Sequence, residues 1–440
     1  MANLPSPNQL VVFGRYPKPG ATKTRLIPAL GPVGAAALQK RLAERIVATA
    51  RQWVRRSGAG LVFCHDGGDA KQMDRWLGKP SMDYLAQTTG NLGSRMFLAI
   101  QTAFQQGAER VLLVGTDIPG ITVAILEKAL DSLDAHDLVL GPSTDGGYWL
   151  VGMTKPKNIF DGIVWGRADV LEKTATLARQ KGMDPCLLEP LTDLDTPADL
   201  NRELGPENAH SPYLSIIIPA LNEERQIARA IVSATSADAE IIVSDGGSRD
   251  RTVEMARSLG ARIVSGDRGR AGQQNRGARA AKGEVLLFLH ADTRLPPNHA
   301  AHVFEKLMDQ HTILGAFRFS TDIHTPAMRW VSYWTNLRAG RLQLPYGDQG
   351  LFMHRADFFS AGGFPDVPIA EDLFLVRTMA RQGRIAIAPA AAVTSGRRWQ
   401  RLGVLQTSII NIIIAIGCLA GLSPDRLMPL YLLRGVCKDE

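Results

Sequence analysis

The chain has 440 residues, 45% hydrophobic and 21% charged, with 50 Lys+Arg against 43 Asp+Glu and a net charge of +7. At ~100–200 residues per domain, that length predicts two or three domains with sizeable cores, and the ordinary composition excludes a disordered, collagenous or low-complexity chain. Divided near residue 205, the two parts hold 23 and 27 basic against 21 and 22 acidic residues, so neither carries the concentrated basic stripe of a nucleic-acid binder. The second part uses 24 Arg and only three Lys (Lys282, Lys306, Lys438); guanidinium groups grip phosphate oxygens in pairs, so the bias admits phosphorylated ligands. Cys64, Cys186, Cys418 and Cys437 stand far apart with no CxxC or Cys/His ligand spacing, which argues for a reducing cytosol over a zinc site or disulfide framework. No basic run or long apolar stretch precedes the first strand, so no secretory signal is expected.

In chain order, residues 10–13, 61–63, 111–115 and 138–140 are short apolar runs separated by helix-like stretches such as 34–56, the alternation of a parallel sheet flanked by helices. The first strand leads into Gly14-Arg-Tyr-Pro-Lys18-Pro-Gly20-Ala-Thr-Lys23-Thr-Arg25. Gly14 and Gly20 with Lys18, Lys23 and Arg25 make either a phosphate cradle or a solvated basic loop. The spacing is not GxxxxGK[ST], so a Walker-type ATPase is rejected. Asp117 ends an apolar strand in Gly115-Thr-Asp-Ile-Pro119, and Asp145 and Asp195 are further acidic tips. Asp117 and Asp195 can converge on one metal; Asp195-Thr-Pro197 is equally a helix start.

The pattern then restarts. Residues 214–218, 240–244, 262–265 and 285–290 are buried-strand candidates separated by helices at 223–235, 250–259 and 272–282. A polar, turn-rich segment around 203–212 lies between the two series. The expected organisation is a first α/β domain (1–205), a linker (206–212), a second (213–402), and an apolar helix and tail (403–440). Ligands of open α/β sheets bind beyond the carboxyl ends of the strands, and three acidic motifs sit there in the second domain. Asp245-Gly246-Gly247 either meets a base or ribose or is an ordinary turn. His290-Ala-Asp292 ends a very apolar run; Asp292 either holds a hard divalent ion against a diphosphate or caps a turn. Glu371-Asp372 offers a general base or marks a helix N-terminus. Residues 402–424 lack Asp, Glu, Lys and Arg, with Arg397, Arg398, Arg401 and Arg426 at the flanks. That run reads as a buried or oligomer-contacting helix, as a membrane-surface helix, or, least readily, as a spanning one.

In one order, Pro219-Ala-Leu-Asn222-Glu223, DGGSRD (245–250), HADT (290–293), YGDQG (346–350), GGF (362–364), Glu371-Asp372 and Arg397-Arg398-Trp399 resemble the family 2 inverting glycosyltransferases of the GT-A fold, over about 213–400. Within that group the chain looks like the second type of transferase associated with radical-SAM/selenodomain gene clusters. The resemblance implies a donor nucleotide bound by Pro219, Glu223, Asp245 and Gly246, with Arg398 and Trp399 flanking the diphosphate. It also implies a metal-binding Asp292 and a catalytic base at Asp372 beside Glu371; Gly347, Asp348 and Gln349 either sit near the acceptor or form a structural loop. His290 replaces the first acid of the family's DxD element, and QxxRW is reduced to Ser395-Gly-Arg-Arg-Trp399, which disfavours processive polymer synthesis. The implied reaction is single displacement at the anomeric carbon of a UDP- or GDP-sugar, assisted by Mg²⁺ or Mn²⁺.

Over about 8–203, PKPGATKTRL, GTDIPG, GPSTDGGYWLVG and DLDTPADL resemble the DUF2064 family, the first type of selenodomain-associated transferase. Its implied fold is that of nucleotide-diphospho-sugar transferases, with Lys23 and Arg25 on nucleotide phosphates and Asp117 on a metal; Gly14 and Asp195 remain the candidates named above for the cradle and the metal. The expectation is two tandem Rossmann-like domains with mostly parallel sheets, a C-terminal apolar helix, and a bifunctional enzyme of the cytoplasm, peripheral on the inner face of the cell membrane if 403–422 meets lipid. A lipid acceptor then becomes reasonable. Two rival expectations are a nucleotidyltransferase with its activity in the first domain, and a non-catalytic membrane scaffold.

Overall fold

The computed structural model describes residues 6–79, 82–204 and 211–432. The chain divides into two compact units, Met1–His210 and Ser211–Glu440. Most of the expected linker and the last residues of the tail lie outside the described residues.

The first unit holds β1 (Asn8–Arg15), β2 (Gly60–Asp66), β3 (Asp83–Ala86), β4 (Arg110–Gly115), β5 (Leu138–Pro142), β6 (Tyr148–Met153) and β7 (Pro185–Leu187). They form one sheet in the order β3-β2-β1-β4-β6-β5-β7, parallel except that β6 runs antiparallel to β4 and β5. The long apolar runs become the central strands because they are covered on both faces: Leu10, Val12, Leu112 and Val114 are fully buried. Strand order reverses between β1 and β4, which opens a crevice at their carboxyl ends.

The second unit repeats the plan with β8 (Leu214–Ala220), β9 (Ala239–Asp245), β10 (Arg262–Ser265), β11 (Val285–Phe288), β12 (Thr293–Arg294), β13 (Thr312–Thr321), β14 (Leu351–His354) and β15 (Arg384–Thr394). Their order is β10-β9-β8-β11-β14-β13-β15-β12, with β14 antiparallel to both neighbours. Ile216, Ile217, Ile218 and Leu286–Phe288 are all fully buried, each worth about 1.5–3 kcal/mol of burial. Here the switch of direction falls between β8 and β11. The fold expected from sequence, two Rossmann-like α/β units with mostly parallel sheets, is present.

Two elements differ in extent from the expectation. The helix expected from 223 begins at Ile227: Asn222 stands at positive φ and Gln226 N closes a turn on Glu223 O at 2.9 Å, while the backbone N–H groups of Asn222, Glu223 and Glu224 are held by Ser248 Oγ (3.0 Å), Thr252 Oγ1 (2.8 Å) and Asp250 Oδ2 (3.1 Å). The apolar run near the C-terminus forms the helix Val404–Leu419 between Gly403 and Gly421, both at positive φ, and then Pro424–Leu432. Among the described residues no helix is long and apolar enough to cross a membrane. One face of the 404–419 helix is buried: Ile410, Ile414 and Cys418 pack with Leu427 against Ile369 and Leu373.

Candidate active sites

A cleft of about 580 Å³ lies over the ends of β8 and β11. Its floor is fixed by hydrogen bonds between strand tips. Gln273 Nε2 donates to Ala220 O (2.8 Å) and Ser244 O (2.9 Å), and Arg249 N donates to Asn222 Oδ1 at 2.9 Å. Asp245 is buried and accepts from Gly247 N (3.0 Å) and Ser248 N (3.2 Å); its carboxylate holds the DGGS turn. Gly246 donates to Ala220 O at 3.0 Å. Pro219 and Glu223 face the cleft; Asp245 and Gly246 stand behind its wall.

Asp292 and His290 enter the cleft from the turn after β11, where Thr293 N donates to His290 O. Opposite them stands Arg397, the first residue of the helix Arg397–Leu402. Its Nη2 lies 2.5 Å from Glu223 Oε1 and 3.5 Å from Asp292 Oδ2, so one guanidinium ties the expected nucleotide residue to the expected metal residue. Sequence reasoning chose its neighbour Arg398, whose side chain lies outside the described residues. Trp399 lines the cleft and packs edge-on against Phe319 at 5.9 Å.

Glu371 and Asp372 occupy the first turn of the helix Glu371–Ala380 and also face the cleft, so the helix-start and site readings coexist. Asp372 Oδ2 accepts from Gly347 N at 2.7 Å and Oδ1 from Leu373 N at 2.8 Å. Glu371 is 4% exposed. Burial pushes its carboxyl up to about 7; Arg270 draws it down, and the neighbouring Asp372 charge raises it. Arg270 Nε lies 3.8 Å from Glu371 Oε1, and Tyr431 first, then Glu371, Asp372 and Asp292, favour its charged form. Asp348 lines the cleft, whereas Gln349 is fully buried and donates to Phe317 O at 3.0 Å. Gly347 is a point of close approach: a Cβ there would fall 2.9 Å from His290 Nε2 and 3.2 Å from Asp372 Oδ2.

Sequence reasoning missed Arg270 and the residues the C-terminal helices bring to this cleft, among them Asn411, Ile414, Met428 and Tyr431. The one available signal was Asn411, a polar side chain inside an otherwise apolar run. Among the described residues no group of three or more His, Cys, Asp and Glu is placed to hold a metal. Mg²⁺ commonly binds through one or two carboxylates with substrate phosphates and water completing its shell, and Asp292 fits that part.

The first unit has a cleft of about 510 Å³ over the tips of β1 and β4. Gly14 is required there because a Cβ would meet Thr116 Cγ2 at 2.6 Å and Phe63 at 2.9 Å. The Lys23 side chain is 2% exposed, donates to Leu194 O at 2.7 Å, and lies 3.0 Å from Asp117 Oδ1 and 3.8 Å from Asp195 Oδ1. Arg25 Nη1 reaches Asp195 Oδ2 at 2.8 Å. Asp117 and Asp195 thus come together around an ammonium, and a divalent ion at that point would compete with it. Asp193 was missed: burial first, then Asp145 and Asp195, raise its pKa.

Residues 49–167 match the family described as "Uncharacterized protein conserved in bacteria (DUF2064)", and residues 215–362 match "Glycosyl transferase family 2". The 4,4'-diaponeurosporenoate glycosyltransferase of Staphylococcus haemolyticus is 36% identical over 104 residues, 21% of this chain and 28% of that protein. A PGL/p-HBAD biosynthesis glycosyltransferase of Mycobacterium tuberculosis is 38% identical over 95 residues, 19% of this chain and 37% of that one. The chain therefore spans only 28–37% of the length of these curated relatives. A crystal structure from Desulfovibrio desulfuricans G20, described as a nucleotide-diphospho-sugar transferase, is 38% identical, with 44% of this chain and 85% of that chain covered at a TM-score of 0.41. The chain is a fusion of two families, DUF2064 in its first unit and glycosyl transferase family 2 in its second.

Proposed function

We propose that the second unit transfers a sugar from a UDP- or GDP-sugar to an acceptor hydroxyl with inversion at the anomeric carbon. The observation that carries this reading is Asp372, fixed by the Gly347 N–H at 2.7 Å in the cleft that also holds Asp292 and Arg397. Asp372 takes the proton of the acceptor hydroxyl; the acceptor oxygen bonds to the anomeric carbon from the face opposite the leaving group, and the diphosphate departs with the electron pair of the broken bond. Mg²⁺ or Mn²⁺ on Asp292 would neutralise that departing charge. Arg397, already poised over Asp292 and Glu223, is placed to pair with phosphate oxygens bidentately. Burial raises the pKa of Glu371, which lessens the negative charge it adds beside the base. Positioning and electrostatics supply most of the acceleration.

The first unit is proposed as a nucleotide-binding transferase in which Lys23 and Arg25 hold phosphates and Asp117 and Asp195 orient them through Lys23. Pyrophosphate release from a nucleoside triphosphate and a sugar phosphate distinguishes nucleotidyl transfer there from a second glycosyl transfer. The second-unit reaction is tested by proton NMR of donor hydrolysis, in which water serves as the acceptor. The first-formed free sugar has the inverted anomeric configuration, and Asp372→Asn abolishes its formation; a retained anomer, or an active Asp372→Asn, overturns the proposal.

A further inference from the structure

We propose that the outward face of the 404–419 helix, together with the aromatic face of the helix Pro326–Arg341, docks the second unit on the surface of an anionic lipid bilayer. A surface helix normally turns a polar face to water. This one is apolar on both sides. Opposite its buried Ile410, Ile414 and Cys418 it exposes Leu405 (76%), Ile412 (57%) and Ile416 (60%), with Ile409 and Ile413 between them. Its first residue, Val404, and Trp399 pack against Met328 and Val331 of the 326–341 helix, whose Trp330, Tyr333 and Trp334 are themselves exposed and paired edge to face at 5.7–5.8 Å. Trp and Tyr carry an apolar body and a polar edge, which suits the headgroup boundary.

Charge selects the occupant. Arg329 and Arg341 on the 326–341 helix, Arg401 just before the 404–419 helix and Arg426 just after it are exposed, while the 326–341 helix has no acid and residues 397–432 have only Asp425. Anionic headgroups complement that positive charge; a second copy of the chain would bring the same charge to meet it. A 16-residue helix is about 24 Å long, short of the ~30 Å bilayer core, and its inner face is already committed to the catalytic unit, so it lies in the interfacial plane. The consequence rests on the glycosyltransferase reading: Ile414, Ala415 and Met428 line the cleft that holds Asp372, so the docked enzyme offers its base to an acceptor whose hydroxyl sits at the lipid surface.

The test is cosedimentation of the full chain with vesicles of phosphatidylcholine alone or with added phosphatidylglycerol. Donor hydrolysis and thermal melting are run in parallel on wild type and an Ile412→Glu/Ile413→Glu/Ile416→Glu variant. Binding is expected only with phosphatidylglycerol, weakened by salt, and reduced by about 1,000-fold in the variant, roughly tenfold for each of the three side chains replaced, while melting and hydrolysis are unchanged. A Trp330→Ala/Trp334→Ala variant weakens binding as well. Absent binding, binding unaffected by the substitutions, or a wild-type dimer that the variant converts to monomer overturns the docking proposal. Vesicle binding without donor hydrolysis would leave docking intact and overturn the catalytic reading instead.

Discussion

Replacing Gly347 with Ala perturbs the proposed base without touching it chemically. The added Cβ would sit 2.9 Å from His290 Nε2, 3.4 Å from His290 Cε1 and 3.2 Å from Asp372 Oδ2, whereas unstrained contacts between such atoms lie near 3.5–4.0 Å. The ring and the carboxylate must therefore yield by roughly half an ångström, lengthening the Gly347 N–H to Asp372 hydrogen bond from 2.7 Å. A misplacement of 1 Å at a reacting group costs about 100-fold, so half that predicts a loss of about tenfold in kcat, about 1.4 kcal/mol in the barrier. Gly347 is not among the glycines at positive φ, so Ala strains no backbone, and the entropy it removes from the unfolded chain, about 0.4–1 kcal/mol, offsets much of the clash. Steady-state release of nucleoside diphosphate and a thermal melt read the two effects separately. The expected pattern is kcat down about tenfold, donor KM little changed and Tm within a few degrees of wild type. An unchanged kcat would refute the assignment of Asp372, and a fall in activity matched by a large fall in Tm would make Gly347 merely structural.

Three further outcomes follow from the same geometry. The Glu371 carboxyl rises from 4.5 to about 7 on folding, so its contribution is fully present below pH 4.5 and lost as pH climbs through 7; Glu371→Gln flattens this decline, at most roughly 3 kcal/mol across the window, in urea titrations at a series of pH values. If the wild-type slope persists in the variant, another group is responsible. Arg397→Ala weakens UDP or GDP binding about tenfold in calorimetric titrations and Arg397→Lys restores only part of it, because an ammonium cannot grip two phosphate oxygens in plane; full recovery with Lys would contradict the bidentate role. Lys23→Met leaves Asp117 and Asp195 facing each other and costs the first unit about 1–3 kcal/mol of stability, read by urea unfolding; no loss would show that the ammonium is not what holds them together.

What the sequence disclosed and what it hid have a common physical basis. An Asp closing an apolar run must lie at a strand tip, because burial inside the run would be prohibitive; hence Asp117 and Asp292 could be placed from local pattern, and the two alternating series announced two α/β units. Strands β13 to β15 were not read, since their pairing depends on partners far along the chain and β14 runs against both neighbours. Arg397 and Arg398 are indistinguishable as neighbours in a motif, yet successive residues on a helix point about 100° apart. Lys23 meets the Leu194 carbonyl 171 positions away, a contact no local spacing encodes. The apolar 404–419 run was ambiguous for a different reason: an uncharged helix looks the same whether it faces lipid, another chain or its own cleft, and one of its faces does cover the cleft.

The most direct measurement is release of nucleoside diphosphate from a panel of UDP- and GDP-sugars by the full chain, with Mn²⁺ or with EDTA, for wild type and Asp292→Ala. Hydrolysis needs no knowledge of the acceptor, and Asp292 lies outside the Gly347–Asp372 hydrogen bond, so folding and the base are left in place. The account predicts release from one donor, dependent on metal and lost in the variant. Release that is indifferent to EDTA and intact in Asp292→Ala would contradict it.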